Sequence, residues 1–340
     1  MKTKIVITIS IAIMSIMLGV AVGSIYIPIG DVLSVIGYRM FGFNLPEHIT
    51  DGRVVIIWNA RLPRTLLAFC AGAALSVSGA VMQSVLRNPL ASSYTLGVSS
   101  GASLGASLVI FFGVALPVLS ILTLPILGFV FGLGTILIVM MIARQLDVRM
   151  ENQTIILTGM VFSLFINAIT TLMFALFREN AQRMILWQMG SFSMRDWHTI
   201  YILAPIALAG ILIISRFKWE LDVMTFGEEQ AQAIGVNIKS VKRLLLILAA
   251  ALTGSTIAFV GVIGFVDLVA PHVVRKIFGS LHRYLIPMSA VVGGTFMVLA
   301  DIAARTVTAP VELPVGAVTA IIGAPFFAYI YFSKRKESRV

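Results

Sequence analysis

The sequence predicts an all-α, polytopic membrane protein with about ten transmembrane helices. Three observations lead there. Of 340 residues, 59% are hydrophobic and only 12% charged, and the mean hydropathy is +0.99; a soluble surface of this size needs far more charge. Apolar runs long enough to cross a hydrocarbon core of ~30 Å recur along the whole chain. The basic residues also cluster on alternate connections between those runs, as they do in membrane proteins.

The expected spans, in order, cover residues 5–25, 54–86, 94–112, 118–142, 153–177, 198–215, 243–260, 262–275, 285–304 and 314–332. The first follows Lys2 and Lys4 and could be mistaken for a signal peptide. Its apolar stretch, Ile5 to Ile25, is longer than a usual signal core, and many spans follow, so a retained helix is the reading. The second is long enough to tilt. The eighth is too short to cross alone and is expected to pack inside the protein as a partial helix. The chain reads as one transmembrane unit, 1–340. Its two long polar stretches are 26–53 and 217–242, the latter the most hydrophilic.

Orientation follows from the 25 Lys and Arg residues. With the N-terminus inside and spans alternating, the outside holds Arg39, Arg53, Arg61, Arg64, Arg178, Arg183, Arg195 and Arg305. The other seventeen, including every lysine and Arg339, fall inside. Both termini and residues 217–242 are therefore expected in the cytoplasm, the chain residing in the cell (inner) membrane. Trp58, Trp187 and Trp197 fall near the outer interface, as aromatic belts do. The net charge of +10 is explained by this topology, and no basic stripe interleaved with aromatics suggests nucleic acid. The one cysteine, Cys70, sits in an apolar run and can form neither an intrachain disulfide nor a cysteine metal site.

Several residue patterns stand out. Gly97, Gly101 and Gly105 are spaced four apart, and Gly128 and Gly132 repeat the spacing, which suits close helix packing. Arg61, Arg64 and Arg305 sit at outer span ends, where they either snorkel to headgroups or form a basic rim for an acidic partner. Residues 225–237, with Glu228 and Glu229 ahead of a stopping Gly235, read as a short cytoplasmic helix with an apolar edge that could dock a partner. Asp267, His272 and Asp301 are ionisable at membrane depth; Arg305 lies one turn from Asp301 and can pair with it. Residues 60–81 weakly echo 240–261 in the opposite direction, as inverted repeats do. There is no GxxxxGK[ST] loop for ATP, no HExxH or CxxC, and no convergent nucleophile–base set. An intramembrane enzyme therefore finds no catalytic residues here, and an ion-coupled secondary transporter finds no row of carboxylates.

The run RLPRTLLAFCAGAALSVSGAVMQSVLRNPLASSYTLGVSSGASLGA (Arg61–Ala106) resembles the signature of FecCD-type permeases of ABC importers. WQMGSF (Trp187–Phe192), FGEEQAQAIGV (Phe226–Val236), LVAPHVVR (Leu268–Arg275), LADIAAR (Leu299–Arg305) and ELPVGAVTAIIGAPFF (Glu312–Phe327) follow in the family's order. The resemblance implies a type II ABC importer permease fold. It implies a second permease subunit, two separate ATPase subunits that hold ATP and Mg, and an extracytoplasmic substrate-binding protein. It implies that this chain is not itself an enzyme and holds no cofactor or metal of its own. Arg61, Arg64 and Arg305 match arginines that meet the binding protein. Gly227, Glu228, Glu229, Gln230, Ala231 and Gly235 match the coupling region that engages the ATPase. The implied cargo is an iron(III)–siderophore, with haem or cobalamin as alternatives. Where the family usually has glycine this chain has Asp267, a candidate for the translocation path or a subunit contact.

Overall fold

A computed structural model describes residues 1–337 except Ser24 and Val118, so Arg339 lies outside the described residues. The described residues form helices and no strand. In chain order they are α1 (Lys2–Ala21), α2 (Ile29–Phe41), α3 (Asp51–Val55), a π-helical turn (Ile56–Arg61), α4 (Leu62–Val85), α5 (Val98–Phe112), a 3₁₀ turn (Ser120–Leu122), α6 (Thr123–Leu146), α7 (Asn152–Leu176), α8 (Arg178–Gln188), α9 (Trp197–Arg216), α10 (Lys218–Met224), α11 (Glu228–Ala233), α12 (Ile238–Val260), α13 (Val266–Phe278), α14 (His282–Thr306) and α15 (Val315–Glu337).

Each expected span has a helix. Seven helical segments are long and apolar enough to cross a membrane, and Val98–Phe112 and Val315–Ala328 are apolar but shorter. The chain is a multi-pass membrane protein. The third expected span starts late because residues 86–97 fold back before Gly97, whose φ of +84° caps α5; that left-handed conformation favours glycine. The eighth is α13, a 13-residue helix. Three helices were not expected, α2, α8 and α10, because they fall in stretches too polar or too short to read as spans.

The long segment through α3, the π turn and α4 is the axis of the fold. Its best apolar window is 83% buried, and α4 packs against α9, α12, α13 and α14. Small residues allow this crowding. A Cβ on Gly72 would run into Gly293 O of α14, and one on Gly79 into Asp267 O of α13. With no hydrophobic drive between helices in lipid, such backbone contact is a main source of attraction. Hydroxyls tie the centre together: Ser78 Oγ donates to Ala249 O (2.8 Å) and lies 2.7 Å from Thr253 Oγ1, which is 2.6 Å from Ser93 Oγ. Outer faces differ: only 28% of the α7 and α9 windows is buried, leaving Leu164, Phe165, Leu208 and Leu212 exposed.

The contacts also sort the helix ends. The last turn of α1 meets Arg61 and Arg305 at one end of the bundle. At the other end, Lys4 Nζ donates to Ile277 O (3.0 Å) beside the end of α13.

Candidate functional site

At the first end, Arg61 and Arg64 and the sequence-distant Arg305 border one cavity of about 480 Å³, together with Arg195, Asp196 and Glu312. The π turn ends on Arg61; such wide turns often mark functional positions. Arg61 is buried and donates Nη1 to Val20 O (3.1 Å) and Ala21 O (2.9 Å), and Nη2 to Ile25 O. The first two are carbonyls of the last turn of α1, and Ile25 lies in the connection that follows. Arg305 is also buried and donates Nη2 to Gly19 O, with its Nε 3.4 Å from Asp301 Oδ2.

Arg64 makes the strongest set. Its Nε (3.0 Å) and Nη2 (2.8 Å) both reach Asp301 Oδ1, and Nη1 donates to Glu312 Oε1 (2.7 Å). Asp301 is 1% exposed, whereas Glu312 is 40% exposed. Burial raises the Glu312 carboxyl's pKa, but the Arg64 hydrogen bond and charge outweigh it and hold the group below its ordinary value. The i, i+4 pair with Arg305 expected for Asp301 is therefore the lesser partner. Arg64, 237 positions earlier in sequence, takes the better geometry. Two fixed guanidinium groups and one with a solvent-facing acid partner suit the recognition of carboxylates at this end.

At the opposite end, α10 and α11 form the connection between α9 and α12. Gly227 (φ +138°) and Gly235 (φ +92°) bracket α11. Ala231 is buried, while Phe226 and Ile234 are 76% and 60% exposed. Glu228 Oε1 accepts from Lys242 Nζ (2.7 Å), which also donates to Met150 O (3.0 Å) and Asn152 Oδ1 (2.8 Å). Lys242 is 2% exposed. Its ammonium thus staples α11 to α12 and to the α6–α7 connection. Beside it, Arg87, Glu151, Glu229 and Gln230 line a cavity of about 520 Å³. Asp222 braces the same end: its Oδ1 lies 2.6 Å from His282 Nδ1 and accepts from His282 N (2.9 Å).

The remaining singled-out residues lie inside the bundle. Gly101 and Gly105 sit where α5 meets α6; a Cβ on either would run into Phe131 O or Leu127 O. Gly97 is outside that helical face and meets Ser163 and Thr135 instead. Asp267, in the first turn of α13, is 1% exposed; no side chain among the described residues bonds its carboxylate, and the backbone N–H groups of Ser93 and Leu268 lie nearest to it. Its carbonyl accepts from Gln83 Nε2 (3.0 Å).

Sequence reasoning missed Lys242, Arg195 and Glu312 as site residues. Lys242 had been one loop cation among many; its signal was its position four residues inside an amphipathic helix start. Glu312 opens the ELPVG run, but only proximity to Arg64 gives it meaning.

A model of the FecCD transport family matches residues 11–333. The chain belongs to the FecCD transport family. Relatives of this FecCD chain include the uncharacterized ABC transporter permease protein YvrB of Bacillus subtilis, 42% identical over 96% of the chain and 92% of that protein. The Fe(3+)-citrate import system permease protein YfmE of Bacillus subtilis is 36% identical over 83% and 84%. The cobalamin import system permease protein BtuC of Halobacterium salinarum is 37% identical over 85% and 75%. A solved structure described as an inward-facing conformation of a metal-chelate type ABC transporter superposes with a TM-score of 0.84. It is 28% identical and covers 98% of the FecCD chain and all of its counterpart.

Proposed function

We propose that this FecCD-family chain is the permease subunit of an ABC importer that moves an iron(III)–siderophore complex into the cytoplasm. ATP hydrolysis belongs to two separate ATPase subunits, and a second permease completes the path. The observation that carries the reading is the pairing of opposite ends: a basic cavity at one, a stapled short helix with exposed apolar residues at the other. Both termini and α11 lie on the cytoplasmic side of the inner membrane, and the arginine cavity faces outward.

In this mechanism an extracytoplasmic binding protein docks its carboxylates at the end bearing Arg61, Arg64 and Arg305. Arg64 is the exchangeable contact, because Glu312 is exposed enough for a partner's carboxylate to displace it. Arg61 and Arg305 hold α1 and α14 in place beneath it. On the other side, the segment Gly227–Gly235, with Glu228, Glu229, Gln230 and Ala231, seats in the ATPase. Lys242 passes its movement to α12 and α7. Asp267 lies within the moving core near the translocation path.

The test is reconstitution with the cognate ATPase and binding protein in proteoliposomes. Ferric siderophore, haemin and cobalamin are supplied in separate arms. Binding-protein-dependent ATPase stimulation and uptake with the ferric complex alone support the proposal. Stimulation only by haemin or cobalamin reassigns the cargo, and uptake that proceeds without any ATPase sinks the importer reading. Arg64→Glu should weaken binding-protein docking, more at low salt where the repulsion is less screened.

A further inference from the structure

Next to the arginine cavity lies a second, more apolar groove of about 440 Å³ between the starts of α6 and α9 and the end of α12. Its walls include Leu122, Pro125, Ile202 and Phe259, and Arg195, Asp196, His198 and Thr199 stand at its polar side. Arg195 is the unusual member. Its Nε is buried and donates to no acceptor among the described residues. Every acid near it is engaged elsewhere. Asp196 Oδ1 accepts from Thr199 N (3.4 Å) and Oγ1 (3.5 Å), capping α9. Asp301 and Glu312 are held by Arg64. Burial pushes the Arg195 guanidinium's pKa down, and the Asp196 charge offsets this only in part. A desolvated cation without a bonded counter-charge is costly, and an arginine fork is shaped to meet an oxyanion.

The wall beside that cation names the class of oxyanion. It continues into the α9 face, of which little is buried within the chain, so the groove opens towards the membrane's own hydrocarbon. We propose that this groove binds a phospholipid with an anionic headgroup, the phosphate on Arg195 and an acyl chain along Leu122, Pro125, Ile202 and Phe259. Trp197, whose Nε1 donates to Trp58 O (2.8 Å), fixes the first turn of α9 at interfacial depth and so sets the height of the headgroup. The lipid would wedge α6 against α9 immediately beside the cavity where Arg64 and Glu312 meet.

The experiment uses the full chain in nanodiscs, where both faces are accessible. Its outcome therefore does not depend on the proposed orientation or on the cargo. Retained lipid is read by native mass spectrometry after equilibration with equal phosphatidylglycerol and phosphatidylcholine. Wild type is expected to keep phosphatidylglycerol, and Arg195→Gln to lose that preference about tenfold, as loss of a charge-assisted hydrogen bond implies. Ile202→Trp, which fills the groove and leaves Arg195 intact, should lose it as well. Equal retention of both lipids by wild type overturns the proposal. So does a phosphatidylglycerol preference that survives Ile202→Trp. Stabilisation by inorganic phosphate equal to that by phosphatidylglycerol would also overturn it, since the site would then take a free anion.

Discussion

Replacing Arg64 by methionine removes both hydrogen bonds to Asp301 Oδ1 and the bond to Glu312 while keeping an apolar stem of similar length. Asp301 would then remain 1% exposed with only Arg305 Nε at 3.4 Å. Breaking one side of a buried ion pair costs about 3–5 kcal/mol, because the surviving charge is left without compensation. The residual Arg305 contact puts the expectation at the lower end, about 3 kcal/mol. Glu312→Gln should cost under about 1 kcal/mol, since that partner is 40% exposed and solvent screens it. The double variant Arg64→Met/Asp301→Leu should recover most of the loss, as apolar replacement of a whole buried pair is often neutral. Equilibrium unfolding in mixed micelles of rising dodecyl sulfate fraction measures all three. If Arg64→Met cost no more than Glu312→Gln, or if the double variant lost the sum of its single changes, the buried-pair argument would fail.

Gly72→Leu should prevent folding or insertion, because a side chain there meets Gly293 O, and no rotamer relieves a backbone clash; normal yield of folded protein would contradict this. Glu228→Lys places a second cation against Lys242 (now 2.7 Å from Glu228 Oε1) and is expected to uncouple transport from ATP hydrolysis while insertion persists. Unchanged uptake per ATP would remove α11 from the coupling path. Asp267→Leu removes a buried carboxylate that no side chain among the described residues pairs with and should raise stability while lowering uptake; full activity would leave the residue without a transport role. The Asp31 carboxyl is held below its ordinary 3.8 by the His48 hydrogen bond, against burial, and then by Arg53. A depressed native pKa gives stability that is complete above 3.8 and is lost as the pH falls through the native value. Emission from Trp58, which packs on the cluster containing Val32 and Val35, should therefore change on acidification below 3.8 in wild type. An identical transition in Asp31→Asn would exclude this origin.

Composition and apolar run length were enough to establish a helical multi-pass membrane protein, because in lipid each span must satisfy its own backbone hydrogen bonds and announces itself as a continuous apolar stretch. The same logic placed a helix at each apolar run, seven of them long enough to cross a membrane, and the ordered motifs pointed to the family. Run length could not mark where α5 starts, since the fold-back of 86–97 depends on the left-handed Gly97 and on hydroxyls brought together from α4 and α12. Nor could it show α2, which buries Val32 and Val35 on one face and leaves Leu33 and Met40 exposed on the other. The partners of the charged residues were the least legible. A local rule paired Asp301 with Arg305, but folding brings Arg64 from 237 positions away into better geometry. Lys242 became a staple only when α11, α12 and the α6–α7 connection converged on its ammonium. Sequence spacing governs contacts along one helix, whereas the low dielectric of a buried site rewards whichever opposite charge the packing delivers, and only the tertiary structure decides which that is.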